Sequence, residues 1–163
     1  MIDIRQLSLS DDIKVYEMLQ RISPCENEFK NTAYGLTYDE FQKWLIQQDS
    51  WSRGENLPDG YVAQTVFWLF DDRIPVGFGK IRHSLTEKSM EIGGNIGYAI
   101  DPIHRGKGYA TILLCELIKK ADVMGVHEKV LTVEKYNPAS KRVIEKAGGH
   151  LTKETDERWY FEF

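Results

Sequence analysis

The 163-residue chain has only two cysteines, Cys25 and Cys115. They make no metal-binding spacing and no disulfide framework, which excludes a cysteine-built zinc site and a cystine-stapled scaffold. Cys115 falls in a helical pattern and reads as a small buried thiol. No apolar run approaches the ~18–20 residues needed to cross a bilayer. The opening MIDIRQLSLSDD has no basic start followed by an apolar stretch, so no signal peptide is expected, and the expected compartment is the cytoplasm by default. A basic excess is also missing. The 21 Lys and Arg face 25 Asp and Glu, a formal charge of −4 that argues against nucleic acid as the main partner. There is no repeat, low-complexity tract or interdomain linker. Residues 1–163 are therefore expected to form one domain with a substantial core.

Periodicity supplies the elements. Ile2–Leu7 alternates as a strand. Ser10-Asp11-Asp12 caps a helix carrying Ile13, Tyr16, Leu19 and Ile22, which Pro24 ends. A second helix starts near Thr37 with Phe41, Trp44 and Leu45 on one face. Arg53–Gly60 is a loop. Three strands follow: Tyr61–Phe70, Ile74–His83 and Ile92–Ile100, the last closed by Asp101-Pro102. The clearest helix is Gly108–Met124, with Ala110, Leu114, Leu117, Ala121 and Met124 in one stripe and Gly125 as its C-terminal cap. Lys129–Val133 is a strand. Asn137-Pro138 gives the N-cap and first-turn proline of a helix ended by Gly148-Gly149. Strands near His150–Lys153 and Arg158–Phe163 finish the chain. The order implies an α+β architecture: one central mixed, mostly antiparallel sheet flanked by helices. The strands before and after the long helix are expected as parallel neighbours joined by a right-handed crossover.

The most informative stretch is NIGYAIDPIHRGKGYATILL, Asn95–Leu114. A strand ends, a turn carries Arg105, Gly106, Lys107 and Gly108, and a helix begins at once. Glycines at a helix start let a ligand approach the backbone and leave N–H groups aimed outward. The helix dipole and two cationic side chains add positive potential, which suits a pyrophosphate. The chain lacks the longer glycine loop ending in Gly-Lys-Ser/Thr of nucleotide triphosphate sites. It also lacks the third glycine of a dinucleotide fingerprint, where Thr111 stands, and an acidic ribose ligand at the right distance. Taken alone, the turn is also readable as a glycine-rich helix start.

Arg105-Gly106-Lys107-Gly108-Tyr109-Ala110 matches the Arg/Gln-x-x-Gly-x-Gly/Ala signature of the GNAT family of N-acetyltransferases. Ile96–Pro102 resembles that family's fourth strand. Asn137-Pro138-Ala139-Ser140 followed by Val143–Gly149 resembles its second cofactor-binding motif, at a typical spacing. Asn56–Gly60, Ile81-Arg82-His83, Gly93-Gly94 and Arg158-Trp159-Tyr160 are similar to a bacterial subgroup of unassigned substrate.

The resemblance implies a GNAT-type fold with a parallel pair splayed apart at the fourth and fifth strands. It implies acetyl-CoA as acyl donor and an amine on a small molecule, amino acid or peptide as acceptor. No nucleic acid or membrane is expected as partner, and a homodimer is left open. Backbone groups of Tyr98, Ala99 and Ile100 would pair with the pantetheine arm. The N–H groups of Arg105, Gly106, Lys107, Gly108, Tyr109 and Ala110 would hold the pyrophosphate, and Asn137 and Ser140 would lie along the arm from the other side. The family's usual acid, a tyrosine seven residues after the motif asparagine, is replaced by Ile144. Tyr98, Tyr136 and Ser140 are then candidate acids, with Tyr98 favoured. Glu91 and His83 are the candidate bases, beside solvated-turn and strand-end readings of each. A coenzyme-A-binding sensor or scaffold without turnover is the alternative class.

Overall fold

The computed structural model describes residues 1–163. In chain order the elements are β1 (Ile2–Gln6), α1 (Ile13–Arg21), β2 (Cys25–Glu26), β3 (Phe29–Lys30), α2 (Tyr38–Ser52), β4 (Gln64–Asp71), β5 (Ile74–Arg82) and α3 (Glu87–Glu91). Then follow β6 (Ile96–Ile100), α4 (Tyr109–Val123), β7 (Val130–Glu134), α5 (Pro138–Lys146), β8 (His150–Glu154) and β9 (Arg158–Glu162). No helix is long and apolar enough to cross a membrane.

Side-chain chemistry explains the element boundaries. Asp12 caps α1 by accepting from the Lys14 N–H. Thr37 and Glu40 form a reciprocal capping box at α2, each side chain taking the other's backbone N–H. The Asn137 side chain caps α5 by accepting from the Ser140 N–H, with Pro138 in the first turn. Gly125 and Gly148 take left-handed backbone just beyond α4 and α5.

β4 is buried on both faces, so its apolar run does not alternate with polar residues. Phe67 and Leu69 join a core with Leu113, Leu114 and Leu117 of α4. Val66, Trp68 and Phe70 join a second core with Met18 and Leu19 of α1 and Phe41 and Trp44 of α2. Gly79 is where α4 comes closest: a Cβ there would stand 2.4 Å from Leu117 Cδ1. In α1 the buried residues are Val15, Met18 and Leu19. Ile13 is exposed, so the apolar face is rotated from the expected one.

The expected mixed sheet with a parallel pair is not what forms. Beside the two-stranded β2–β3 hairpin, the chain makes two antiparallel sheets, ordered β1-β4-β5-β6 and β7-β9-β8, and no ladder joins β6 to β7. The physical reason lies at Asn95. Its N–H donates to Val130 O at 3.0 Å, but the return bond from the Val130 N–H goes to Asn95 Oδ1 at 2.9 Å. Asn95 Nδ2 donates to Glu128 O at 2.7 Å. A side chain thus takes the place of the next backbone partner, and pairing stops at that point. Gly94 makes the close approach possible, since a Cβ there would lie 1.9 Å from Val130 O. The strand expected over Ile92–Ile100 shortens to Ile96–Ile100 because α3 and the left-handed Gly93 and Gly94 precede it. The polar stretch before it contains α3, and Cys25–Lys30 contains a hairpin, neither of them expected.

Asn95 is 1% exposed, so its amide has no water to fall back on. Asn95→Ala should strand the Val130 N–H and the Glu128 carbonyl and cost about 2–4 kcal/mol. Urea unfolding with an unchanged m-value is the measurement. A loss under about 0.5 kcal/mol would contradict the role given to this side chain.

Candidate functional site

Where β6 and β7 part, a cleft of about 570 Å³ opens between the two sheets. Its floor is β6. The Asp101 N–H bonds to Val76 O, and the Arg82 N–H bonds to Asn95 O. These two bonds fix the phase of the antiparallel ladder. Gly97, Ala99, Asp101 and the Asn95 carbonyl face β5, whereas Ile96, Tyr98 and Ile100 direct their backbone groups into the cleft. No strand meets them there, which leaves an extended row of donors and acceptors for a ligand.

At the C-terminal end of β6, a short 3-10 turn over Pro102–His104 leads into Arg105–Gly108. Asp101, wholly buried, caps that turn and is held by Arg21 of α1 at 2.7 Å. Gly106 and Gly108 have φ of +77° and +83°, and a Cβ on either would meet nothing within 4 Å. The turn therefore presents bare backbone to open space. No side chain caps α4, so the N–H groups of Tyr109, Ala110 and Thr111 lack intrahelical partners at the positive end of the dipole. Arg105, Gly106, Gly108, Tyr109 and Ala110 all border the cleft, while Lys107 does not and stays exposed. Arg105 reaches back to Ile100 O at 3.2 Å and pairs with Glu26 at 2.6 Å.

The opposite wall comes from β7 and α5. Asn137 and Ser140 border the cleft. The Ser140 hydroxyl lies 2.9 Å from the Tyr98 hydroxyl, which closes a bridge from β6 to α5. Burial pushes the Tyr98 hydroxyl up to about 12, partly offset by the bond to Ser140. It keeps its proton at neutral pH. Ile144 is wholly buried and also borders the cleft, so no hydroxyl stands at the position where a tyrosine is usual in the family. Arg142 and Lys146 border the cleft further along α5, whereas Lys141 is paired with Glu145.

The β2–β3 hairpin crosses the cleft as a strap. Its tip, Asn27 and Glu28, has φ of +49° and +67°. Glu26 holds Arg105 on one side, and Glu28 accepts from Arg158 of β9 at 2.7 Å on the other. Arg158 also reaches Glu134 at 3.1 Å. Burial and the nearby Glu28 raise the Glu134 carboxyl, whose Oε2 has no hydrogen-bond partner. Burial alone would raise Glu28, but the hydrogen bonds and charge of Arg158 outweigh it and hold the carboxyl low. Phe29 lies over Gly97, where a Cβ would come within 2.5 Å of its ring. Lys80 and Arg82 of β5 complete this side. Of these residues the sequence marked Arg105, Arg82 and Arg158, and gave no role to Glu26, Glu28, Phe29, Lys80 or Glu134. The available signal was Asn27 between alternating residues, a short hairpin turn that apolar periodicity does not mark.

The two candidate bases lie elsewhere. His83 sits within 2.8 Å of the Thr65 hydroxyl, outside the cleft lining, and burial lowers its pKa. Glu91 ends α3, is exposed, and is engaged only through its carbonyl, which accepts from the Tyr160 hydroxyl at 3.0 Å. Tyr136 is 74% exposed and does not border the cleft. Among the aromatic residues of the first half of the chain, Tyr34, Tyr38, Trp44 and Trp51 do not border it either.

The arrangement suits an elongated ligand with an anionic group at the α4 terminus and an amide-bearing arm along β6. Comparison with known proteins gives the same direction. No curated protein matches the chain. Among solved structures, it resembles RimL, a ribosomal L7/L12 alpha-N-protein acetyltransferase in complex with coenzyme A, with TM-score 0.72 and 14% identity over 99% of this chain and 93% of that one. It resembles a ribosomal-protein-S5-alanine acetyltransferase from Vibrio fischeri with TM-score 0.73 and 16% identity, over 99% and 92% of the two chains. It resembles the N-acetyltransferase PseH of Campylobacter jejuni in complex with acetyl coenzyme A with TM-score 0.64 and 15% identity, over 100% and 98%. At these identities the likeness speaks for the fold. The profile of the acetyltransferase (GNAT) domain matches residues 2–150, nearly the whole chain, and the protein belongs to the GNAT acetyltransferase family.

Proposed function

We propose that this protein, acting as one domain over residues 1–163, transfers the acetyl group of acetyl-CoA directly to an amine of a small molecule, amino acid or peptide. The observation that carries the reading is the cleft between β6 and β7. One end has uncapped helix N–H groups over bare glycine backbone, and its floor is a strand with unpaired backbone groups. The first would hold the pyrophosphate, and Tyr98 and Ile100 would pair with the pantetheine arm as an added strand. Asn137 Oδ1 is already committed to the Ser140 N–H, which leaves its amide nitrogen to face the arm. Glu26 would yield Arg105 to the phosphates, exchanging one anion for another. The setting implied is the cytoplasm, where coenzyme A thioesters are made and used, and the reaction requires neither nucleic acid nor a membrane.

In this reading a neutral amine attacks the thioester carbonyl, an oxyanion forms, and coenzyme A leaves as thiolate. A backbone N–H of β6 directed into the cleft would stabilise the oxyanion. Tyr98, beside Ser140 and still protonated, would supply the thiolate's proton, a role Ile144 cannot fill and the exposed Tyr136 is not placed to fill. A sensor without turnover would share the cofactor site but release no thiol.

Three outcomes follow. Acetyl-CoA should raise the melting temperature more than NAD or ATP at equal concentration, since binding to the native state alone is read as stability. Equal shifts from all three would contradict the cofactor assignment. Gly106→Val should leave the protein folded, at a cost of about 1–2 kcal/mol for left-handed backbone, yet weaken acetyl-CoA binding at least tenfold by titration calorimetry. Unchanged affinity would remove the turn from the site. Tyr98→Phe should keep acetyl-CoA affinity and lower turnover by about 10²–10⁴ on an amine that supports thiol release. Full turnover would take the acid role from Tyr98.

A further inference from the structure

Amide formation needs a neutral amine, and an alkylamine arrives mostly protonated at pH 7. A proton acceptor must therefore stand at the reacting end of the cleft. His83 and Glu91 do not border it. The two carboxylates that do, Glu26 and Glu28, are held by Arg105 and Arg158. His104 belongs to the turn before Arg105, at the phosphate end. The remaining candidate is Lys80.

Lys80 stands opposite Gly97 in the β5–β6 ladder, one residue from Tyr98. Gly79 directs its face at Leu117 of α4, so Lys80 points to the other side, with Phe78 and the hairpin. Its Nζ donates to Lys30 O at 2.7 Å and lies 5.2 Å from the Phe29 ring centre and 5.8 Å from that of Phe78. No carboxylate pairs with it, since Glu26 and Glu28 are held by Arg105 and Arg158. The pantetheine arm, laid along β6 from the turn, runs from Ile100 toward Gly97, about 10 Å at the usual strand rise. That path brings the thioester to the stretch of β6 that Lys80 faces.

We propose that Lys80 is the general base that takes the proton from the acceptor amine. The inference rests on the acetyl-transfer reading above. Neutral Nζ removes one proton from the acceptor ammonium. The freed nitrogen forms the new N–C bond with the thioester carbonyl, and the C–S bond breaks. Tyr98 protonates the thiolate and takes back the proton lost by the acylated nitrogen, and Lys80 returns its own to water. Burial first, then the charges of Arg82 and Lys30, lower Lys80 to about 8. Roughly one such amine in ten is neutral at pH 7, against fewer than about one in a thousand for a free lysine. The charged groups around it are Arg82 on its own strand, Lys30 on β3, and Glu26 and Glu28 on the hairpin. On α1, Arg21 is committed to Asp101. The cross-strand neighbours Val66 and Gly97 carry no charge.

The test uses the full chain, acetyl-CoA and the alkylamine that gives the fastest thiol release in an amine panel. It also uses the same molecule with an aminooxy group in place of the amine, which is neutral at pH 7 and needs no base. With the alkylamine, kcat/KM of the unaltered protein should rise through a limb near pH 8. Lys80→Met should lose that limb and at least a hundredfold in rate at pH 7.5, while the loss with the aminooxy compound stays under tenfold. Lys80→Arg keeps the charge and the stem but cannot release a proton in this range, so it should show the same selective loss. It also covers the case in which the methionine variant does not fold. Equal losses with both acceptors, or an unchanged pH limb in either variant, would overturn the base. A protein that binds acetyl-CoA but acetylates no amine would overturn the proposal together with the reading beneath it.

Discussion

The join between the two sheets at Asn95 and Val130 governs the rest of the molecule. If backbone pairing continued past that point, β6 and β7 would zip into one sheet and there would be no cleft. The Asn95 backbone N–H makes one normal contact to Val130 O, and its side-chain oxygen then blocks the next by accepting the Val130 N–H. Two well-ordered sheets thus meet at a fixed corner and diverge from it. The divergence leaves the backbone groups of Tyr98 and the Ile100 N–H without a strand partner inside an otherwise well-packed protein, while the Ile100 carbonyl takes a hydrogen bond from Arg105. Such groups are costly when buried dry, and an extended amide-bearing ligand satisfies them.

Both ends of that cleft are held by groups committed elsewhere in the fold. At the α4 end, buried Asp101 ties the phosphate turn to Arg21, so the turn is carried by α1 as well as by β6. At the other end, the strap runs from Arg105 to Arg158 and seats Phe29 against Gly97. Exposed ion pairs contribute little on their own. Arg158, however, is only 8% exposed and serves two glutamates, so its pairing with Glu28 is the firmer of the two anchors. The Glu26–Arg105 pair is more exposed and is the one a phosphate can displace.

Much of this was legible in the sequence because it depends on local chemistry. Asn137-Pro138 marked its helix start through capping, and Gly106 and Gly108 marked the turn because only glycine takes left-handed backbone cheaply. The stripe of α4 marked the core it packs. What was not legible depends on long-range geometry. The parallel pair was inferred from strand–helix–strand order, but whether two strands pair beyond their first contact is decided by one asparagine side chain and one glycine, Asn95 and Gly94. The hairpin at Cys25–Lys30 is too short for periodicity to show. Lys80 looks like any strand lysine until the fold brings Phe29, Phe78 and Lys30 around it. His83 and Glu91 read as candidate bases from their place at the ends of the central strands, and neither borders the cleft.

The central claim is that the gap between β6 and β7 is where acetyl-CoA lies, with its arm on β6 and its phosphates on α4. Amide hydrogen exchange with and without acetyl-CoA reads this residue by residue. The account predicts new protection at Tyr98 and Ile100 and at Gly106 through Thr111, with β8 unchanged at the far edge of the second sheet. Protection that spares Tyr98 and Ile100, or that appears chiefly outside the cleft, would contradict it.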